Sequence, residues 1–178
     1  MIESFMELIM EKDFYSEIFK LKNIVRSGWK QRKISGRLES DAEHTCSMLL
    51  LALDIMAKND LGLDELKVLK LIAYHELCEI DAGDFTPRDN ISKQEKFDKE
   101  YACIQRLAKE YDLPEVEQIW LEFEKGESKE AQFAKYIDKY DAVLQSKIYS
   151  WQENDFSIYD EFCNHSKSIV EYMDKLKK

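Results

Sequence analysis

A chain of 178 residues, 44% hydrophobic and 35% charged, is long enough for a substantial core and reads as one domain over residues 1–178. Its net charge of −10 excludes broad binding of nucleic-acid polymers, which needs basic surface, but not a small phosphorylated ligand met by a local basic cluster. Five Gly and two Pro among many Leu, Lys and Glu argue for an all-α fold, a bundle of about six to eight helices.

Residues 2–24 carry Phe5, Leu8, Ile9, Phe14, Ile18 and Leu21 at helical spacing, enough for one or two short helices. Glu7, Glu11 and Asp13 interrupt the early apolar residues, so the stretch is neither a secretory leader nor a membrane span, and a cytoplasmic protein is expected. Residues 25–39 lack periodicity and read as a loop. That loop concentrates Arg26, Lys30, Arg32, Lys33 and Arg37 in an otherwise acidic chain.

A helix is predicted from Ser40, where Ser40-Asp41-Ala42-Glu43 has the capping-box form. The run Met48 to Met56 is apolar almost all round, which makes this helix central. Asp64 is the expected N-cap of the next helix, which carries Leu66, Leu69, Ile72 and Ala73 towards His75, and Gly83 and Pro87 mark the loop beyond. Further helices are expected at about 92–111, 115–125, 128–152 and 157–176, broken by Pro114, Gly126 and the polar stretch around Asn154. No strand alternation, internal repeat or interdomain linker interrupts them. Cys46, Cys78, Cys103 and Cys163 are widely spaced and read as reduced, mostly buried thiols rather than zinc ligands. Aromatic residues from Trp120 to Tyr159 suit ordinary core, with a homodimer face as the alternative.

Only three histidines occur, and two sit among acids: Glu43-His44 and His75-Glu76-Leu77-Cys78-Glu79. His75 and Glu76 are about 100° apart on a helix, so one ion could meet both only over the edge between them. Glu79 shares that side, His44 could approach from the preceding helix, and Asp138 could complete the set. Such nitrogen and oxygen donors suit a divalent ion, which lowers the pKa of water and polarises a phosphoryl oxygen, with Glu79 placed to move protons. By spacing alone the same residues also suit helix ends and solvated acidic faces.

At these positions the sequence resembles the HD-domain metal-dependent phosphohydrolases, most closely their 5′-deoxynucleotidase branch. Four blocks in order carry the resemblance: Arg26-Ser27-Gly28-Trp29; Glu39 to His44; His75 to Pro87; and Ala131 to Lys139. It implies that His44, His75 and Asp138 hold one divalent metal (Mn, Co, Mg, Fe, Ni or Zn), that Glu79 is the catalytic glutamate, and that Asp84 faces the sugar. It also implies that Arg26 and Trp29 border the nucleotide. The activity implied is removal of phosphate from deoxynucleoside 5′-monophosphates by a water that the ion activates.

The family's His-Asp pair is His75-Glu76 here. The longer carboxylate favours an adaptable ion over Mg²⁺; Glu76 is expected as a ligand beside His44, His75 and Asp138, the alternative being that it declines to bind and a water takes its place. The alternatives are hydrolysis of another small phosphate ester, or a weakly active metal- or nucleotide-binding protein. No further histidine lies between Glu76 and Asp138, which favours a mononuclear site. His165 reads as a surface residue, Asp141 as a support for the site or a solvent-facing acid, and Lys30 and Lys33 as solvated.

Overall fold

The computed structural model describes residues 13–86 and 88–176. The expected helix through Phe5, Leu8 and Ile9, and the turn residue Pro87, lie outside them. In chain order the α-helices are α1 (Phe14–Leu21), α2 (Ser27–Gln31), α3 (Asp41–Lys58), α4 (Glu65–Tyr74), α5 (Glu79–Ala82), α6 (Lys93–Glu110), α7 (Pro114–Lys125), α8 (Lys129–Glu153), α9 (Ser157–His165) and α10 (Lys167–Leu176). A 3-10 turn, His75–Cys78, joins α4 to α5, and the one extended pairing among the described residues is a bridge between Val25 and Ser40. The fold is all-α, as composition required.

Helix boundaries follow local chemistry. Ser40 Oγ accepts from the Glu43 N–H, and the Glu43 carboxylate accepts in return from the Ser40 N–H at 3.0 Å. Asp64 accepts from the Lys67 N–H at 3.0 Å and starts α4. Gly126 (φ +64°) and Asn154 (φ +52°) end α7 and α8 in the left-handed region, which glycine enters freely and asparagine tolerates.

Three expectations about helices change, and one about the cysteines. Residues 25–39 include α2, whose five residues bury only Trp29 and are too few to show periodicity. The helix leading to His75 ends at Tyr74 and tightens into the 3-10 turn. The expected last helix is interrupted at Ser166, between α9 and α10. The cysteines are unpaired, but only Cys78 and Cys103 are buried, while Cys46 is exposed and Cys163 half-buried. No described helix is long and apolar enough to cross a membrane.

The main core joins α3, α4 and α8 through Met48, Ala52, Ile55, Val68, Leu71, Ile72, Ala134 and Ile137, all fully buried. Burying each larger aliphatic side chain contributes about 1.5–3 kcal/mol. This packing fixes the positions of His44 on α3, His75 after α4 and Asp138 on α8. A second cluster, with Leu77, Ile104, Leu107, Val116 and Trp120, seats the 3-10 turn against α6 and α7. Trp29, Ile34, Tyr149 and Ile158 form a third.

Candidate active site

His44 stands in the first turn of α3, wholly buried, with its Nδ1 2.8 Å from Asp141 Oδ2. Its Nε2 lies 3.2 Å from Asp138 Oδ1. Asp138 and Asp141 are three residues apart on α8, so one helix face meets both ring nitrogens. His75 is placed differently. At the end of α4, the Ile72 carbonyl accepts from His75 Nδ1 at 2.6 Å. A carbonyl can only accept, so Nδ1 carries a proton, which leaves Nε2 as the ring atom that could ligate an ion. That Nε2 is buried without a hydrogen-bond partner. One ligand atom each from His44, His75 and Asp138 lies within 4.8 Å of the others.

A fixed Nδ1 on each ring and convergent Nε2 atoms are the arrangement in which histidines hold a metal. Burial favours the neutral His44 ring, yet Asp138, Asp141 and Glu76 outweigh it and lift the imidazole to about 9. Burial also opposes ionisation of Asp138, but Lys139 and His44 hold its carboxyl well below the usual range. A cation placed among these atoms would take the position of the His44 proton, so the donor set fits a divalent metal.

Glu76 leans into the same space. Its Oε1 is 2.6 Å from the Arg26 guanidinium, 3.0 Å from His75 Nε2 and 3.7 Å from His44 Nε2. Its Oε2 is buried without a partner. Burial opposes the charge, but Arg26, His75 and His44 hold the carboxyl well below its usual range.

Glu79 faces a different group. Burial and the adjacent Glu76 charge push its carboxyl well above the ordinary range. It gathers with Asp41 and Asp84, one oxygen from each lying within 4.8 Å of the others. Asp41 is wholly buried with both oxygens unpartnered, and burial and Glu76 push it up to about 7. Sequence reasoning missed Asp41, because an acid in the first turn of a capped helix is already explained by the helix dipole. Asp84 accepts from the Ser27 N–H and so pins α2 to the loop after α5.

Of the loop's basic residues, Arg26 alone lines the cavity over this site. Arg32 pairs with Glu161, Arg37 with Glu43, and Lys30 and Lys33 are exposed. Trp29 is not brought to the cavity. It is 3% exposed, donates its indole N–H to Glu39 at 2.9 Å and packs against Tyr149 and Phe162. Its ring serves the core by anchoring α2. His165, at the end of α9, is exposed.

The cavity measures about 630 Å³, within the range of small-molecule sites. Its acidic floor is Glu76, Glu79 and Asp138 beside His75, and Lys93, Lys96, Lys135 and Lys139 also line it. Mixed charge of this kind suits a metal ion and a phosphorylated ligand together.

Residues 18–177 match the family model described as HD domain. The protein named 5′-deoxynucleotidase HDDC2 from Mus musculus is 31% identical over 144 residues, 79% of this chain and 70% of its own length. The Schizosaccharomyces pombe protein named 5′-deoxynucleotidase hdd1 is 30% identical, over 79% of this chain and 73% of its own. Among solved structures, one described as a predicted metal-dependent phosphohydrolase from Magnetospirillum magnetotacticum MS-1 superposes with a TM-score of 0.69 at 26% identity, covering 92% of this chain and 87% of that one. The chain belongs to the HD domain family.

Proposed function

We propose that this protein is a metal-dependent phosphohydrolase that removes phosphate from nucleoside 5′-monophosphates, deoxy forms preferred. The observation that carries the reading is the convergence of donor atoms from His44, His75 and Asp138, with His75 and Asp138 opening onto a cavity that four lysines also line. The 5′-deoxynucleotidase relatives supply the substrate class. His44, His75 and Asp138 would hold one divalent metal, with Glu76 beside them. When bound, the ion supplies Lewis acidity towards a phosphoryl oxygen and a water of lowered pKa. Mn²⁺ or Co²⁺ suits the longer Glu76 better than Mg²⁺, which demands near-ideal octahedral geometry.

The other residues divide the remaining work. Arg26 neutralises Glu76 and stands where a planar guanidinium can also meet phosphate oxygens. Glu79, whose carboxyl burial and the Glu76 charge hold above the usual carboxylate range, is placed to move a proton to the departing 5′-oxygen. Asp84, fixed by the Ser27 N–H, forms the wall that disfavours a 2′-hydroxyl, and Trp29 supports that wall through α2. The reading takes residues 1–178 as one HD-type domain, and its four unpaired cysteines suit the cytoplasm.

Assaying chelator-stripped protein with Mn²⁺ or Co²⁺ against deoxy- and ribonucleoside 5′-monophosphates and simple phosphate esters tests this. Phosphate release is expected from the deoxynucleotides first. Release from simple esters alone would move the reading to another phosphomonoester. Glu76 also gives the weakly active alternative a basis, because its Oε1 already serves Arg26. A large gain in turnover by Glu76→Asp would identify the glutamate as the limit on rate.

A further inference from the structure

Helix α6 carries two Glu–Lys pairs at i,i+4 spacing, and they differ sharply. In Glu95–Lys99 both side chains are about half exposed, the ordinary form of such a pair. In Lys96–Glu100 the carboxylate is the buried partner, its side chain 7% exposed, and both residues line the cavity. Burying a carboxylate is costly without close compensation, and this pair is loose, Nζ to Oε1 3.4 Å. The second contact of the Lys96 ammonium, to the Phe85 carbonyl, is also 3.4 Å. A well-engaged ammonium–carboxylate bond is about 2.7–2.9 Å. Lys96 therefore retains hydrogen-bonding capacity while its stem is held in place.

Of the other cations lining the cavity, Lys93 is exposed at the start of α6, and the rest already hold partners. Lys139 pairs with Asp138 at 3.0 Å, and Lys135 donates to the Glu124 carbonyl and lies over the Phe123 ring. Arg26 is bound to Glu76 at 2.6 Å. Phe85 follows Asp84 directly, so its carbonyl brings Lys96 to the loop that borders the acidic floor. Burial opposes the charge on the Lys96 ammonium, but Glu100 and then Glu79 outweigh it and raise its pKa.

We propose that Lys96 is a phosphate-binding residue of this site and that Glu100 is its positioning residue. This rests on the phosphohydrolase reading and adds a cation that neither the motif nor the basic loop contains. Burial pushes the Glu100 carboxyl up to about 7, so it surrenders its charge near neutrality and leaves the Lys96 charge for an incoming anion.

The test uses the Mn²⁺-loaded chain and inorganic phosphate as the probe, by isothermal titration, with KM and kcat for a deoxynucleoside monophosphate measured alongside. Lys96→Met should weaken phosphate binding and raise KM by roughly 10- to 100-fold, the worth of one charged hydrogen bond, with kcat much less affected. Lys96→Arg should recover most of the affinity. Glu100→Ala should raise KM severalfold, and Glu100→Gln, which still accepts from the ammonium, should reverse most of that. Thermal melting of each variant separates these effects from loss of the fold. Unchanged phosphate affinity in folded Lys96→Met, or no phosphate binding by the wild-type chain, overturns the proposal. Wild-type protein that binds phosphate through Lys96 but hydrolyses no nucleotide would instead sink the substrate reading and leave this one standing.

Discussion

His44 and His75 are oriented by unlike partners, a carboxylate on a neighbouring helix and a carbonyl at the end of the preceding one. The difference predicts different sensitivities. Asp141→Asn should weaken Mn²⁺ affinity by roughly 10- to 100-fold, the usual loss when a histidine's supporting carboxylate is removed. A Mn²⁺ titration of the folded variant reads this directly, and unchanged affinity would return Asp141 to a bystander. Arg26 is the common counter-charge of the floor, its guanidinium raised well above its usual value by Glu76, Asp84, Glu79 and Asp138 against the opposing effect of burial. Arg26→Met should therefore destabilise the metal-free protein by about 3–5 kcal/mol, the cost of breaking a buried ion pair. Added Mn²⁺ should recover part of that loss, visible as a larger metal-induced rise in melting temperature than in wild type. At this scale the sequence disclosed the ligand candidates but not their supports. Asp138 and Asp141 look alike in sequence, and only the packing of α8 against α3 assigns one to each nitrogen. Glu100 carried no signal, because a glutamate four residues after a lysine is ordinary on any exposed helix face.

Helix α3 links its own stability to the site, since its capping box lies one turn before His44. Ser40→Ala removes the side-chain acceptor for the Glu43 N–H and should cost about 1 kcal/mol in urea unfolding. Because the frayed turn carries Asp41 and His44, metal affinity should fall with it. A stability loss with unaltered Mn²⁺ binding would show that His44 is held by α8 alone. This helix was readable from Ser40-Asp41-Ala42-Glu43, as α4 was from Asp64, because caps are local chemistry. The 3-10 turn was not. Nothing within His75-Glu76-Leu77-Cys78 opposes continued α-helix, and the change of pitch comes with the seating of Leu77 and Cys78 against α6 and α7. That tertiary contact sets the angle at which Glu76 meets Arg26. The short α2 escaped for a related reason, its position being set by Trp29 in the core and Asp84 across the cavity.

The whole molecule confines several charges to one buried region, and its stability should register them. His44, raised to about 9, contributes stability that is fully present below its ordinary value and lost as pH rises through 9. Asp41 and Glu100, each raised to about 7, likewise lose their contributions as pH climbs from the ordinary carboxylate range through 7. The lowered carboxyls, Glu76 and Asp138, change protonation only in acid and leave this window alone. The metal-free protein should thus melt progressively lower from pH 6 to pH 9.5, and Mn²⁺ should flatten the decline by replacing the His44 proton. A flat or rising melting curve in chelator would contradict the described charge arrangement. The all-α class and the order of the site blocks were legible because composition, caps and motif spacing are properties of the chain. The depth of the floor and the enclosure of Asp41 were not, since burial arises only when α3, α4 and α8 close on one core. The most direct test of the metal-dependent activity is phosphate release from a deoxynucleoside 5′-monophosphate by chelator-stripped wild-type and Asp138→Asn proteins, titrated with Mn²⁺. The wild type should recover activity and saturate at one ion per chain, while Asp138→Asn stays near background. Full activity without added metal, or in Asp138→Asn, would contradict the account.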